Sequence, residues 1–106
     1  MSVPHEIDVT TAAAMRQQGA RLLDVREASE LAVCQLPGCL HVPMGEIPAR
    51  LTEFPADTPL LVLCHHGGRS ARVTQFLRAN GFDQAINVAG GIDAWARQID
   101  PGLARY

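Results

Sequence analysis

The sequence predicts a single α/β domain over residues 1–106, with a central, mostly parallel five-stranded sheet and helices on both faces. Short apolar runs that suit strands alternate with segments that suit helices, an order typical of a parallel sheet. The run Leu60–Leu63 is apolar throughout, as expected of a central strand covered on both faces. A chain of 106 residues, 47% of them hydrophobic, is large enough to form one core without metals or disulfides.

Strands are predicted where apolar residues cluster between turn signals. Pro43 ends the third of them because proline has no backbone N–H to donate. The five predicted strands are Glu6–Val9, Arg21–Val25, Leu40–Val42, Leu60–Leu63 and Gln84–Val88.

The helices between the strands are predicted from capping residues and apolar spacing. Thr10 or Thr11 is the candidate cap of a helix over Ala12–Gln18, which Gly19 ends. The other predicted helical segments are Glu27–Val33, a turn at Glu46–Leu51, an amphipathic helix with Val73, Phe76, Leu77 and Asn80 on one stripe that stops at Gly81, and a helix that opens at Gly90-Gly91 and contains Trp95.

Composition excludes several classes of function. The net charge is −2 and the pI about 6.0, so no basic field is available to bind nucleic acid or an anionic membrane. All nine cationic side chains are Arg, and without Lys there is no Schiff-base chemistry and no Walker-type phosphate loop. No apolar run approaches the ~20 residues of a membrane span, and the N-terminus lacks the pattern of a signal peptide. Three cysteines make a poor disulfide framework, so we expect a cytoplasmic protein. Separately, we expect a monomer by default.

The segment after the central strand carries the chemistry. Cys64 ends that strand, and Gly67, Gly68, Arg69 and Ser70 lead into the next helix. A helix N-terminus leaves backbone N–H groups without partners and has a partial positive charge, and glycines let several N–H groups converge on one point. A thiol beside such a point is expected to ionise readily. A free Cys is often only a small buried hydrophobe, but this context favours a nucleophile.

Several spaced motifs occur in one order over most of the chain, from about Leu22 to Gly91 and beyond. They are Leu23-Asp24-Val25-Arg26-Glu27, Glu30, Leu36-Pro37-Gly38, His41-Val42-Pro43, the loop Cys64-His65-His66-Gly67-Gly68-Arg69-Ser70, Leu77, Gly81-Phe82, Asn87-Val88-Ala89-Gly90-Gly91, Trp95 and the segment Ile99–Tyr106. Together these motifs resemble the rhodanese family of sulfurtransferases, here as a single domain. The resemblance implies the rhodanese-like three-layer fold.

The resemblance also implies a mechanism. Cys64 would attack the outer sulfur of thiosulfate and become a persulfide, sulfite would leave, and a thiophilic acceptor would then take the sulfur. The acceptor is cyanide in the test tube and a thiol or protein in the cell. Backbone N–H groups of His65, His66, Gly67, Gly68 and Arg69 would stabilise the terminal sulfur, and the Arg69 side chain would hold the loop or attract the anionic donor. No cofactor and no metal are implied.

Loop length separates this chemistry from a related one. Four residues lie between Cys64 and Arg69. Related phosphatases and arsenate reductases have one more residue between Cys and Arg, which makes a wider site for a tetrahedral oxyanion. The sequence therefore favours sulfur transfer over phosphate ester hydrolysis.

Other chemistry-bearing residues are given structural roles. Cys34 and Cys39 are not spaced as a redox pair, and we interpret them as small buried or half-buried side chains. The rings of adjacent His65 and His66 are expected to diverge, which disfavours a metal site there. Asp24 and Arg26 are interpreted as an ion pair or hydrogen-bonded pair, and Trp95 as a core anchor.

Three functions remain open from the sequence. The first is a thiosulfate sulfurtransferase. The second is a relay carrier that takes persulfide sulfur from one protein and hands it to another. The third is a sensor module without turnover, which the intact Cys64-to-Arg69 loop disfavours.

Overall fold

A computed structural model describes residues 3–106. Five parallel strands form one sheet in the order β1-β5-β4-β2-β3. The strands are β1 Glu6–Ile7, β2 Arg21–Asp24, β3 Leu40–His41, β4 Leu60–Leu63 and β5 Ala85–Val88. The helices are α1 Val9–Gln17, α2 Ala28–Leu31, α3 Gly68–Ala79 and α4 Gly91–Gln98, with a 3₁₀ segment over Met44–Glu53. The predicted α/β class and five-stranded sheet are confirmed.

Strand β4 lies in the middle of the sheet, and all of its residues are buried. Successive side chains of a strand point to opposite faces, so β4 contributes to two cores. Leu61 and Leu63 pack in the cluster that contains Trp95 of α4, whereas Leu60 and Val62 pack in the cluster of α3 and the 3₁₀ segment. Trp95 is a core anchor, as predicted. No helix among residues 3–106 is long and apolar enough to cross a membrane.

The predicted bounds of the first strand and the predicted cap of the first helix are wrong. Strand β1 ends at Ile7, because Asp8 caps α1 and Val9 is already helical. The Asp8 carboxylate accepts the backbone N–H of Thr11 at 2.8 Å, so neither Thr10 nor Thr11 is the cap. Hydrogen bonding to the Thr11 side chain, and then to its backbone N–H, lowers the pKa of Asp8.

Two predicted helical segments also differ from the structure. The helix predicted over Glu27–Val33 is the single turn α2, and Glu27 is its cap rather than its first residue. The turn predicted at Glu46–Leu51 is part of the longer 3₁₀ segment, which contains Pro48. A proline inside a helix removes a backbone donor, which favours tighter, irregular turns over an α-helix.

The buried face of α3 shares Val73 and Leu77 with the predicted stripe but is rotated away from its other two residues. Phe76 is 37% exposed, and Asn80 is exposed as well. The remaining buried positions are Ser70 and Thr74, which are polar, so apolar spacing alone does not identify them. Thr74 is accommodated because its hydroxyl donates to the Ser70 carbonyl at 2.8 Å.

Candidate active site

The segment that we call the Cys64 loop, residues 64–69, runs from the end of β4 to the start of α3. It turns sharply at Gly67, which caps α3 with a φ of +109° in the left-handed region. A side chain at this position would be strained, and its Cβ would approach the backbone nitrogen of Gly90 at 3.2 Å. The turn points the start of α3 back at Cys64.

The sulfur of Cys64 lies at the base of this loop, within hydrogen-bond distance of two donor groups. The backbone N–H of Gly67 is 3.1 Å from Sγ, and the Ser70 hydroxyl is 3.2 Å from it. Only 1% of Cys64 is exposed. Donors aimed at a buried sulfur complement the negative charge of a thiolate or a persulfide.

The neighbouring N–H groups of the loop are free to bind an anion. Among residues 3–106, no acceptor takes the backbone N–H of His65, His66, Gly68 or Arg69. We call the N–H groups of residues 65–69 the cradle. His65 and Arg69 are half-buried, whereas His66 and Gly68 are exposed. Several unpartnered N–H groups that converge at a helix N-terminus favour an anionic ligand.

The Arg69 side chain braces the loop. Its Nη1 and Nη2 donate to the two carboxylate oxygens of Glu30 at 2.7 and 2.9 Å. This pairing lowers the pKa of Glu30 to about 2 and raises the pKa of Arg69. Of the two roles predicted for Arg69, the structure places the guanidinium in the one that holds the loop, against α2.

Tyr106 covers the outer side of the loop. Its ring stacks on the His65 ring, with centroids 3.8 Å apart and planes 10° apart. Its hydroxyl donates to Glu30 at 2.6 Å and accepts from Nη1 of Arg26 at 3.0 Å. Burial and the Glu30 carboxylate together raise the pKa of Tyr106 to about 12. Tyr106 therefore stays a neutral donor, and it links the loop to α2.

The rings of His65 and His66 do not diverge, so that expectation is wrong. Their centroids are 3.8 Å apart and their planes are tilted by 33°, and Tyr106 stacks on the His65 ring. Burial, and then the charge of His66, lower the pKa of His65. No group of three or more His, Cys, Asp and Glu side chains suited to a metal is found in the described part of the chain.

The start of α4 holds the loop through backbone hydrogen bonds. The backbone N–H groups of Ile92 and Asp93 donate to the carbonyls of Cys64 at 2.9 Å and His65 at 3.1 Å. At Gly91, with a φ of +60°, a Cβ would lie 2.5 Å from the Cys64 carbonyl and closer still to the His65 carbonyl. The Cys64 loop can therefore pack against this position only where it is a glycine.

Comparison with known proteins agrees with this geometry. The sequence model of the rhodanese-like domain matches residues 8–98. A sulfurtransferase of Allochromatium vinosum is 38% identical over 83 residues, which are 78% of each chain. The chain belongs to the rhodanese-like domain family. A putative sulfur carrier protein of Bacillus subtilis is 33% identical over 78% of this chain, and this chain spans 45% of it.

Solved structures share the fold of this rhodanese-like chain. A rhodanese-like domain protein from Staphylococcus aureus superposes with a TM-score of 0.81 and 31% identity, over 100% of this chain and 99% of that one. A human single-domain sulfurtransferase gives a TM-score of 0.78 at 28% identity, over 89% and 96% of the two chains. Both comparisons confirm the rhodanese-like fold that the sequence motifs imply.

The other cysteines of the rhodanese-like chain are placed as interpreted. All three cysteines are free, and Cys34 is buried while Cys39 is half-buried. Burial raises the pKa of Cys39 to about 11, so this thiol stays protonated at neutral pH. Neither of them has the donor arrangement that surrounds Cys64.

Asp24 and Arg26 form a buried ion pair at 2.7 Å, as interpreted. Arg26 is fully buried, and another of its bonds goes to the Cys34 carbonyl at 3.0 Å. Arg26 also donates to the Tyr106 hydroxyl, so the ion pair helps to hold Tyr106 in place over the loop. The Arg26 pKa is raised by Asp24 and Tyr106, against the opposing effect of burial.

Sequence reasoning did not assign Asn87 or Glu6 to the site, and it did not predict that Tyr106 stacks on His65. Asn87 is 3% exposed, and its amide contacts Ser70 and Gly67 from β5. A polar residue inside an otherwise apolar strand is a signal that could have singled it out, since a buried amide needs partners. Nothing in the local sequence links Tyr106 to His65.

Proposed function

We propose that this chain moves a sulfane sulfur from thiosulfate, through a Cys64 persulfide, to a thiophilic acceptor. The observation that supports this most strongly is the environment of the Cys64 sulfur, which accepts the Gly67 N–H and lies beside the Ser70 hydroxyl and the cradle. Membership of the rhodanese-like family and the similarity to a sulfurtransferase support the same chemistry.

In the first step, the Cys64 thiolate attacks the outer sulfur of thiosulfate. A sulfur–sulfur bond forms to Sγ, and the sulfur–sulfur bond of thiosulfate breaks, so sulfite leaves with the bonding electron pair. The negative charge passes to the terminal sulfur of the persulfide. The free N–H groups of His65, His66, Gly68 and Arg69 would stabilise that charge.

In the second step, the acceptor attacks the terminal sulfur and the thiolate of Cys64 leaves. With cyanide the product is thiocyanate, and charge and atoms balance without an added oxidant or reductant. In the cell we propose a thiol or a protein as acceptor, and a cytoplasmic location. The three free cysteines support a reducing compartment.

The activity is tested by incubating the purified chain with thiosulfate and cyanide and measuring thiocyanate. We expect turnover by the wild type and by Cys34→Ser, and a loss of about 10³-fold or more in Cys64→Ser, whose hydroxyl does not ionise at neutral pH. Thiocyanate formation that survives Cys64→Ser would exclude this mechanism. Hydrolysis of p-nitrophenyl phosphate that depends on Cys64 would favour a phosphatase instead.

A second candidate function is a relay carrier that takes its sulfur from a protein persulfide. The similarity to a putative sulfur carrier protein favours it. So does the pairing of Arg69 with Glu30, because this cation is already engaged when an anionic donor arrives. A donor series separates the two functions: faster loading of Cys64 by a protein persulfide than by thiosulfate supports the relay.

A further inference from the structure

A buried polar chain leads from the sulfur of Cys64 through Ser70 to Asn87. The Ser70 hydroxyl oxygen is 3.2 Å from Sγ of Cys64 and 2.5 Å from Oδ1 of Asn87. Ser70 is fully buried and Asn87 nearly so. Asn87 does not itself contact the sulfur, so any effect it has on Cys64 passes through Ser70.

The orientation of the Asn87 amide is fixed by its other partners. Its Nδ2 lies 2.8 Å from a carboxylate oxygen of Glu6 and 3.2 Å from the Gly67 carbonyl. Both of these groups only accept hydrogen bonds, so the NH₂ end must face them. The carbonyl end of Asn87 therefore faces Ser70.

The Ser70 hydroxyl has one proton, but it faces two acceptors. A carbonyl oxygen and a hydroxyl oxygen 2.5 Å apart require that proton between them. A Ser70 proton donated to Asn87 leaves an oxygen lone pair facing Cys64, and that lone pair suits a protonated thiol that donates S–H. An ionised sulfur instead needs the Ser70 proton for itself.

We propose that Asn87 competes with the sulfur of Cys64 for the single hydroxyl proton of Ser70. Asn87 then favours the thiol form of Cys64 at rest, and ionisation requires the Ser70 hydroxyl to rotate from Asn87 to the sulfur. This assigns Asn87 as a positioning residue that acts through Ser70. It rests on Cys64 being the nucleophile of the proposed function.

The charged groups around the sulfur do not replace Asn87 in its effect on the Ser70 hydroxyl. Arg69 lies near Cys64 and favours its anionic form, but Glu30 pairs with Arg69. Glu6 lies on the far side of Asn87, where its negative charge polarises the amide and strengthens the Asn87 carbonyl as an acceptor. Burial favours the neutral form of His65.

The competition also suits the persulfide. Once sulfur has been transferred to Cys64, the charge lies on the terminal sulfur, which the cradle faces, and Sγ is a neutral sulfide. The Ser70 proton can then return to Asn87. The polar chain and the cradle would thus act on different sulfur atoms at different stages.

The test compares Asn87→Leu, Ser70→Ala and the double variant in a Cys34→Ser, Cys39→Ser background. Leu keeps the shape of Asn but cannot accept a hydrogen bond. The readouts are the ultraviolet absorbance of the thiolate and the alkylation rate with iodoacetamide at neutral pH. Both report on Cys64 alone and need no sulfur donor, so this test stands or fails separately from the proposed transfer activity.

We expect Asn87→Leu to increase the thiolate fraction and the alkylation rate about five-fold, the effect of one hydrogen bond of ~1 kcal/mol. Ser70→Ala should decrease both, and in the double variant Asn87→Leu should have no further effect. An unchanged or slower rate in Asn87→Leu, or a gain that persists without Ser70, overturns the proposal.

A second variant covers the case in which Asn87→Leu does not fold. Glu6→Gln changes an exposed side chain and removes the charge that polarises Asn87. It should raise the alkylation rate by about two-fold, in the same direction as Asn87→Leu. No increase in this variant would contradict the proposed competition.

Discussion

Two helices of this domain begin with the same pattern, a pair of glycines, yet one N-terminus contacts the Cys64 sulfur and the other contacts backbone carbonyls. Gly67 and Gly90, both left-handed, cap α3 and α4 respectively. At α3 the Gly67 N–H donates to the sulfur of Cys64, while the N–H groups of Gly68 and Arg69 have no acceptor among residues 3–106. At α4 the N–H groups of Ile92 and Asp93 donate to two carbonyls of the Cys64 loop.

The difference shows that a helix N-terminus becomes a ligand site only where the protein leaves it unoccupied. The α4 terminus uses the same partial charge to hold the loop carbonyls on one side, so the loop N–H groups point to the other side. One helix start presents the anion site, and the other fixes the loop that forms it. Substitutions of Gly91 and Gly68 separate these two roles, and substitutions of Glu30 and Tyr106 test the other contacts that hold the loop.

The largest effect is expected from Gly91→Ala. The added methyl group would overlap the Cys64 and His65 carbonyls, and the φ of +60° strains any side chain. We expect a loss of about 2–4 kcal/mol of stability and about 10²-fold of turnover, because the nucleophile is displaced. Urea unfolding and thiocyanate formation measure the two effects.

The matched control for stability is Gly68→Ala at the other helix start. A Cβ there meets nothing within 4 Å, and its φ is not positive. Ala inside a helix is favoured over Gly, so stability should be unchanged or rise by about 0.5–1 kcal/mol. Equal destabilisation by the two substitutions would show that the two helix starts do not differ as described.

A smaller effect is expected from Glu30→Gln, which breaks the brace between the loop and α2. The pKa of Glu30 is lowered from 4.5 to about 2, so its carboxylate contributes stability that is fully present above pH 4.5 and is lost as the pH falls toward 2. At neutral pH we expect Glu30→Gln to cost about 1 kcal/mol.

Unfolding of the two proteins across pH checks this sign. The difference in stability between wild type and Glu30→Gln should shrink between pH 4.5 and about 2. A difference that stays constant over that range would mean that the Arg69 pair does not account for the effect.

The smallest effect is expected from Tyr106→Phe. This change keeps the stack on His65 but removes the hydroxyl between Glu30 and Arg26. We expect a loss of about 0.5–1.5 kcal/mol in urea unfolding, with turnover changed by less than about two-fold. Tyr106→Ala also removes the stack and should cost more. Equal losses in the two variants would show that the stack contributes nothing.

Much of the fold follows from local sequence. The apolar run Leu60–Leu63 identifies the central strand, and the alternation of elements gives the parallel sheet. Boundaries are less certain where several residues compete for one role. Asp8, Thr10 and Thr11 can each cap a helix, and only the structure shows that the Asp8 carboxylate does so. Exposed Phe76 shows that apolar spacing fails where the buried face of a helix contains hydroxyls.

The candidate site divides in the same way. Cys64 and its loop are contiguous, so their spacing and glycines identify them in the sequence. Asn87 and Tyr106 reach the loop through tertiary structure, from a neighbouring strand and from the segment after α4. Their contacts depend on sheet order and chain path, which no local pattern specifies. The stack of Tyr106 on His65 belongs to this second group.

The most direct test of the central claim is the intact mass of the reduced protein after thiosulfate treatment. If Cys64 accepts sulfur in the cradle, the wild type gains the mass of one sulfur atom and loses it on addition of cyanide. The gain should persist in Cys34→Ser, Cys39→Ser and be absent in Cys64→Ser. A wild type that stays unmodified, or a gain that survives Cys64→Ser, would contradict the account.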